Sequence, residues 1–216
     1  MLQIDQATDM LAVIDVQPTF MPGGELPVVG GDEIVPVINH LLCNRFRSAF
    51  ATQDWHPRGH LSFASAHPGA APFDVVAMPY GPQVLWPDHA IQGSLNAALH
   101  PGLHQDRLQM ILRKGCNRSI DSYSAFSEND RATSTGLAEW LRARGVRRLF
   151  FCGLATDYCV AWSAEDAVAS GFEAVVLEDA CRGIGSPGPD GRDSLTVGRQ
   201  RMIAAGVALQ DTTALG

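Results

Sequence analysis

The strongest constraint in this sequence is a repeated local pattern: a short apolar run that stops on polar residues, then a stretch of helical period. Met10-Leu11-Ala12-Val13-Ile14 stops at Asp15, and Ser48-Ala49-Phe50-Ala51-Thr52 stops at Gln53-Asp54-Trp55-His56. Leu108-Gln109-Met110-Ile111-Leu112-Arg113 stops at Lys114. Leu149-Phe150-Phe151-Cys152 runs into Gly153-Leu154-Ala155-Thr156-Asp157-Tyr158-Cys159-Val160. Continuous apolar runs of this length are expected of strands buried on both faces, as in a parallel sheet. Two more runs, 172–177 and 207–209, read as strands. Helical spacing is expected over 33–46, 137–144, the residues from Ala161 onward and 193–205, with Gly145 closing the second of these. The alternation predicts an α/β fold, a three-layer α/β/α arrangement with a mostly parallel, Rossmann-like six-stranded sheet. A length of 216 residues without a composition break fits one domain over residues 1–216.

In an open sheet of this kind, ligands bind outside the carboxyl ends of the strands. Asp15, Asp54, His56, Lys114 and the turn carrying Cys159 all fall at such ends. Convergence of groups so scattered in sequence carries the functional expectation. An Asp, a Lys and a Cys can make an activated thiol: the carboxylate takes the proton and the ammonium helps hold the charge. Cys159 is placed at the start of a helix, where free N–H groups and the helix dipole favour a thiolate. Taken singly, each residue has a bland explanation: a loop-capping carboxylate, a solvated lysine, a small buried hydrophobe. Their joint placement shifts the balance.

The five cysteines have irregular spacing and no Cys-x-x-Cys pair, and no signal-peptide pattern opens the chain. Reduced thiols in a cytoplasm are expected. Cys43, Cys152 and Cys181 read as structural, and Cys116, close to Lys114, is the rival nucleophile. A formal charge of −7 argues against nucleic acid or an anionic membrane as partner, and no apolar run is long enough to span a bilayer. Seven histidines invite a metal site. Asp54-x-His56 with a later His89 supplies one carboxylate and two imidazoles, a donor set that suits zinc or another divalent transition metal. His60 and Ser62 lie near enough to be further ligands or to hold the ligands in place. Phe20, Trp55, Trp86 and Tyr123 fall in loops beyond strand ends, where they serve either as packing anchors or as a wall for a flat ring.

Together, Asp15-Val16-Gln17-Pro18-Thr19-Phe20, Thr52-Gln53-Asp54-Trp55-His56-Pro57, Trp86-Pro87-Asp88-His89, Lys114-Gly115, Asp121-Ser122-Tyr123-Ser124-Ala125-Phe126 and the Cys159 turn resemble the nicotinamidase group of the isochorismatase-like cysteine hydrolases. The resemblance implies Asp15 as general base and acid, Lys114 as catalytic lysine and Cys159 as nucleophile. It implies an oxyanion hole from the N–H groups of Ala155 and Cys159, and a cis peptide at Leu154–Ala155. It further implies one divalent metal (zinc first, iron or manganese otherwise) on Asp54, His56 and His89, with His60 or Ser62 as open additions. Nicotinamide would be the small-molecule substrate, stacked among Phe20, Trp86 and Tyr123, in NAD salvage; a homo-oligomer stays open. Other superfamily chemistry, on a carbamoyl, ureido or vinyl ether substrate, or a non-catalytic binding protein, are the rivals. The Gly/Pro-rich stretch 183–191 has no assigned role.

Overall fold

The computed structural model describes residues 1–188 and 191–216. Every apolar run above becomes a strand of one six-stranded sheet. In chain order these are β1 (Asp9–Ile14), β2 (Ala49–Asp54), the hairpin strands β3 (Val75–Met78) and β4 (Gly81–Val84), β5 (Ile111–Lys114), β6 (Arg148–Leu154), β7 (Glu173–Arg182) and β8 (Ala208–Gln210). The sheet order is β5-β2-β1-β6-β7-β8, and all its pairs are parallel. β3 and β4 form a separate antiparallel pair within the stretch expected to be irregular.

Alternation along the central strands builds two cores. Leu11 and Val13 face one side with Phe150 and Val175, covered by α1 (Ile34–Asn44) through Ile34, Ile38 and Leu41. Met10, Ala12 and Ile14 face the other with Phe151 and Val176. That side is covered by α2 (Leu137–Arg142), α3 (Ala161–Ala169) and α4 (Ser194–Ala204). Each fully buried Leu, Ile or Phe contributes roughly 1.5–3 kcal/mol, so the sheet makes a stiff platform for whatever its ends carry. α1 and α4 are a residue or two shorter at each end than expected and α2 ends two residues early, as fraying ends allow. Asp193, just before α4, accepts a hydrogen bond from Thr196 N at 2.7 Å and caps it.

Chain direction makes the next point. From β1 the chain moves outward to β2 and β5; from β6 it moves the other way to β7 and β8. The order therefore reverses between β1 and β6, and a crevice opens above their carboxyl ends. Asp15 follows β1 and the Cys159 turn follows β6. At the end of β6, Gly153 has φ +120°, and a side chain there would collide with the Ile14 backbone, so only glycine lets the two strands close up beneath the crevice. No helix among the described residues is long and apolar enough to cross a membrane.

Candidate active site

Lys114 is the hub of the crevice. It ends β5, in register with Asp54 at the end of β2, so their side chains leave the ladder side by side. Its Nζ lies 2.9 Å from Asp54 Oδ1, 2.9 Å from Asp15 Oδ2, 2.9 Å from the Ser122 carbonyl oxygen and 3.3 Å from Cys159 Sγ. All four residues are buried. Asp15 has φ +46°, a conformation aspartate tolerates, and Thr52 Oγ1 donates to its Oδ1 at 2.6 Å. Its other oxygen faces the ammonium, and the carboxyl is also within hydrogen-bond reach of the Cys159 thiol. The expected Asp, Lys and Cys are thus one contiguous group, and Asp54 joins them to the histidines.

Charge settles how the group is protonated. Burial opposes a charge on Lys114, but Asp15, Asp54 and Cys159 outweigh it and hold the ammonium well above its ordinary range. Burial raises the Asp15 carboxyl, with the Lys114 charge pulling the other way. Burial also raises the Cys159 thiol well above its ordinary value; Lys114 opposes this, and the charges of Asp15 and Asp54 add to it. The expectation of a resting thiolate therefore needs correcting. Residues Thr156–Val160 form a π-helical turn before α3, a wide turn common at functional sites, and desolvation there exceeds the help from one ammonium. Cys159 is a thiol at rest beside a carboxylate that can take its proton.

Asp54, His56 and His89 place a carboxylate oxygen and two imidazole nitrogens within 4.8 Å of one another, all buried. His56 Nδ1 is 3.0 Å from the Gly115 carbonyl and His89 Nδ1 is 2.9 Å from the Pro87 carbonyl. Donation to those carbonyls from Nδ1 turns both Nε2 atoms toward Asp54, where a metal ion would take the place of a proton. The charge balance fits a cation too. Burial opposes a charge on Asp54, yet His56 and Lys114 hold it well below the ordinary range. Burial likewise disfavours charge on His56, and Asp54 more than offsets that, to about 9. The donor set and its electrostatics fit a divalent metal.

His60 and Ser62 are buried next to this set. Their side chains meet at 2.7 Å through His60 Nδ1, and His60 Nε2 is a buried nitrogen with no partner. His60 groups with His56 and Asp121 as a second trio of donor atoms, while Ser62 acts on His60.

Phe20, Trp86 and Tyr123 line the same cavity as Asp54, His56, His89, Ala155 and Cys159. Tyr123 Oη accepts from Gln83 Nε2 at 2.7 Å and from Trp86 Nε1 at 3.2 Å, which fixes both rings. Trp55 lies elsewhere, its ring under Arg113 at 4.0 Å, in the packing role. The Leu154–Ala155 peptide is cis, as expected. Sequence reasoning gave no role to Leu26, Asp121, Tyr158 and Ile184, which complete the wall. Asp121 and Tyr158 stood within the quoted motifs, whereas nothing distinguished Leu26 or Ile184 from ordinary loop hydrophobes.

The other cysteines separate cleanly. Cys152 and Cys181 are buried, but Cys43 is exposed in the last turn of α1, with Sγ 3.0 Å from His104 Nδ1, so it is not the structural residue expected. Cys116 is exposed, its Sγ 3.9 Å from the Lys114 carbonyl, and it does not line the cavity.

Comparison with known proteins agrees with this fold. The isochorismatase domain family matches residues 9–195. A nicotinamidase of Acinetobacter baylyi is 51% identical over 208 residues, 95% of this chain and 94% of that one. A solved Acinetobacter baumanii nicotinamidase and pyrazinamidase superposes with a TM-score of 0.91 at 47% identity, covering 96% of this chain and 98% of the other. A protein of L. infantum solved in complex with nicotinate gives 0.85 at 38% identity, over 100% and 98% of the two chains.

Proposed function

The chain belongs to the isochorismatase family, and on that footing we propose that it hydrolyses nicotinamide to nicotinate and ammonia. One observation carries the reading: a single ammonium, Lys114 Nζ, touches the base, the nucleophile and the Asp54 carboxylate of the metal set at once. The chemistry and the ring-binding wall are then parts of one cavity.

Asp15 takes the proton of the Cys159 thiol as Sγ attacks the carboxamide carbon. A carboxyl raised by burial suits that task, because a base is most effective when its pKa approaches the working pH. The new S–C bond pushes the carbonyl π electrons onto oxygen, and the N–H groups of Ala155 and Cys159 receive that charge; one such donor is worth about 3 kcal/mol. Asp15 returns its proton to the amide nitrogen as the C–N bond breaks, and ammonia leaves a thioester. A water then loses a proton to Asp15 and attacks the same carbon. The C–S bond breaks, Sγ regains the proton and the acid is released. Lys114 stays charged throughout and offsets the carboxylate and the developing thiolate.

Asp54, His56 and His89 would hold the divalent metal (zinc, or iron or manganese), with His60 beside them. Held there, such an ion would supply a Lewis-acidic anchor that orients the ring. Phe20, Trp86 and Tyr123 pack against the ring faces and edges. Pyrazinamide has the same carboxamide on a similar ring and is expected to be accepted. The nicotinate released feeds pyridine nucleotide salvage. Carbamoyl, ureido and vinyl ether substrates would leave the Asp54, His56 and His89 set without a task.

The test is an ammonia-release assay with nicotinamide. Wild-type protein should release ammonia, and Cys159→Ala should lose at least about a thousandfold while its circular dichroism is unchanged. Undiminished turnover in the variant would remove Cys159 from the mechanism.

A further inference from the structure

Asp157 is a buried carboxylate that the reaction above does not use. It stands two residues before the nucleophile, in the π-helical turn, and is 3% exposed. Among the described residues its hydrogen-bond donors come from one segment, the start of the Gly/Pro-rich stretch and the helix behind it. Ile184 N donates to Oδ1 at 3.0 Å, Gly185 N donates to Oδ2 at 2.9 Å, and the Ser194 hydroxyl also donates to Oδ2. Ser194 opens α4, and its Oγ accepts in turn from Ser186 N at 2.7 Å. A side chain on Gly183 would run into Leu195 and the Asp157 carboxylate, and one on Gly198 would press on the Asp157 backbone. The loop and α4 therefore lie directly against this residue.

What the segment carries gives the latch its meaning. Ile184 and Tyr158 line both the cavity over Cys159 and a wider groove outside it of about 870 Å³. They are the partition between the two. With Ile184 in this place the inner cavity is about 20 Å³, room for about one water. A ring seated beside Cys159 therefore meets Ile184 as its outer wall.

We propose that Asp157 is a positioning residue for substrate specificity: its carboxylate fixes the 184–186 backbone so that Ile184 forms the outer wall of the ring pocket. Resting on the nicotinamide reading for its ligand, this assigns a task to the loop after β7. An asparagine at 157 keeps one acceptor and turns a donor toward Gly185 N–H and the Ser194 hydroxyl, so part of the latch opposes itself.

The experiment pairs kinetics with thiol labelling. Asp157→Asn is expected to raise KM for nicotinamide about tenfold while kcat changes less than about threefold. The bulky reagent N-ethylmaleimide should modify Cys159 faster in this variant relative to small iodoacetamide. Ile184→Ala should reproduce both effects, and the double variant should be no worse than either single one, because they share one cause. Ser194→Ala removes one donor and keeps the carboxylate, so a smaller KM increase of about twofold is expected; it also serves if Asp157→Asn does not fold. An unchanged KM with unchanged labelling in either latch variant would overturn the proposal, as would additive effects of Asp157→Asn and Ile184→Ala. A wild-type protein inert toward nicotinamide would instead overturn the functional reading, and the labelling ratio would still decide the latch.

Discussion

The two rims of the parallel sheet carry charge in opposite ways. At the amino rim Asp9, opening β1, is in register with Arg148, opening β6, and the two make a fork: Arg148 Nη2 to Oδ2 at 2.5 Å and Nε to Oδ1 at 3.1 Å. The Arg148 side chain is 17% exposed, so one cation meets one anion at the edge of water. At the carboxyl rim of the same strands one ammonium serves two carboxylates and a thiol, all buried. One rim is balanced and fully paired. The other sets one ammonium against two carboxylates and leaves His60 Nε2 a buried nitrogen without a hydrogen-bond partner. Balance of this kind holds strands together, whereas the imbalance is useful only if a cation, a substrate or a moving proton completes it.

The comparison breaks most sharply at Lys114. Lys114→Met leaves the buried Asp15 carboxylate without a cation and Asp54 with only the histidines beside it, and should destabilise the protein by about 3–5 kcal/mol in urea unfolding, with roughly a hundredfold loss or more of ammonia release. Stability unchanged in that variant would mean the carboxyl rim is no more demanding than the amino one. Next comes the cation. Stripping metal with a chelator should raise KM for nicotinamide by about tenfold or more and alter kcat less, with metal content of the same sample followed by mass spectrometry. An unchanged KM in metal-free protein would remove the ring-anchoring role.

The pH profile sharpens the same contrast. Asp15 must be ionised to take the thiol proton, and its carboxyl is raised by burial. The rate kcat/KM should therefore fall as pH drops through a midpoint above the ordinary aspartate range, and the Lys114 ammonium, held well above its own range, should add no limb near neutrality. A midpoint at or below the ordinary range would contradict Asp15 as the base. The smallest effect belongs to the amino rim. Arg148→Met should cost about 1–3 kcal/mol and leave kcat and KM as they were. A change in either constant would show that the two rims are not independent.

Much of this was legible before any coordinates. The strands of the sheet announced themselves as apolar runs ended by polar residues, and those ends supplied Asp15, Asp54, Lys114 and the Cys159 turn. The hairpin was not legible, because Val75–Met78 and Gly81–Val84 flank a Pro79-Tyr80 turn, carry Pro82 inside the second strand and alternate at the surface. β7 runs on to Arg182 past the charged Glu178 and Asp179, with a register shift against Phe151 and Gly153 that no periodicity signals. The Asp54–Lys114 contact needed the strand order, which places β5 beside β2 across sixty residues of chain. The protonation of Cys159 needed burial, which a helix-start argument does not contain. Part of the 183–191 stretch, positions 189 and 190, lies outside the described residues.

The account turns on a covalent bond between the substrate acyl group and Cys159 Sγ. Rapid acid quenching of the protein during nicotinamide turnover, followed by mass spectrometry of its peptides, reads that bond directly. A nicotinoyl adduct on the Cys159 peptide, absent in Cys159→Ala, is the predicted result. Ammonia release at the full rate with Cys159 unmodified at every time point would contradict it.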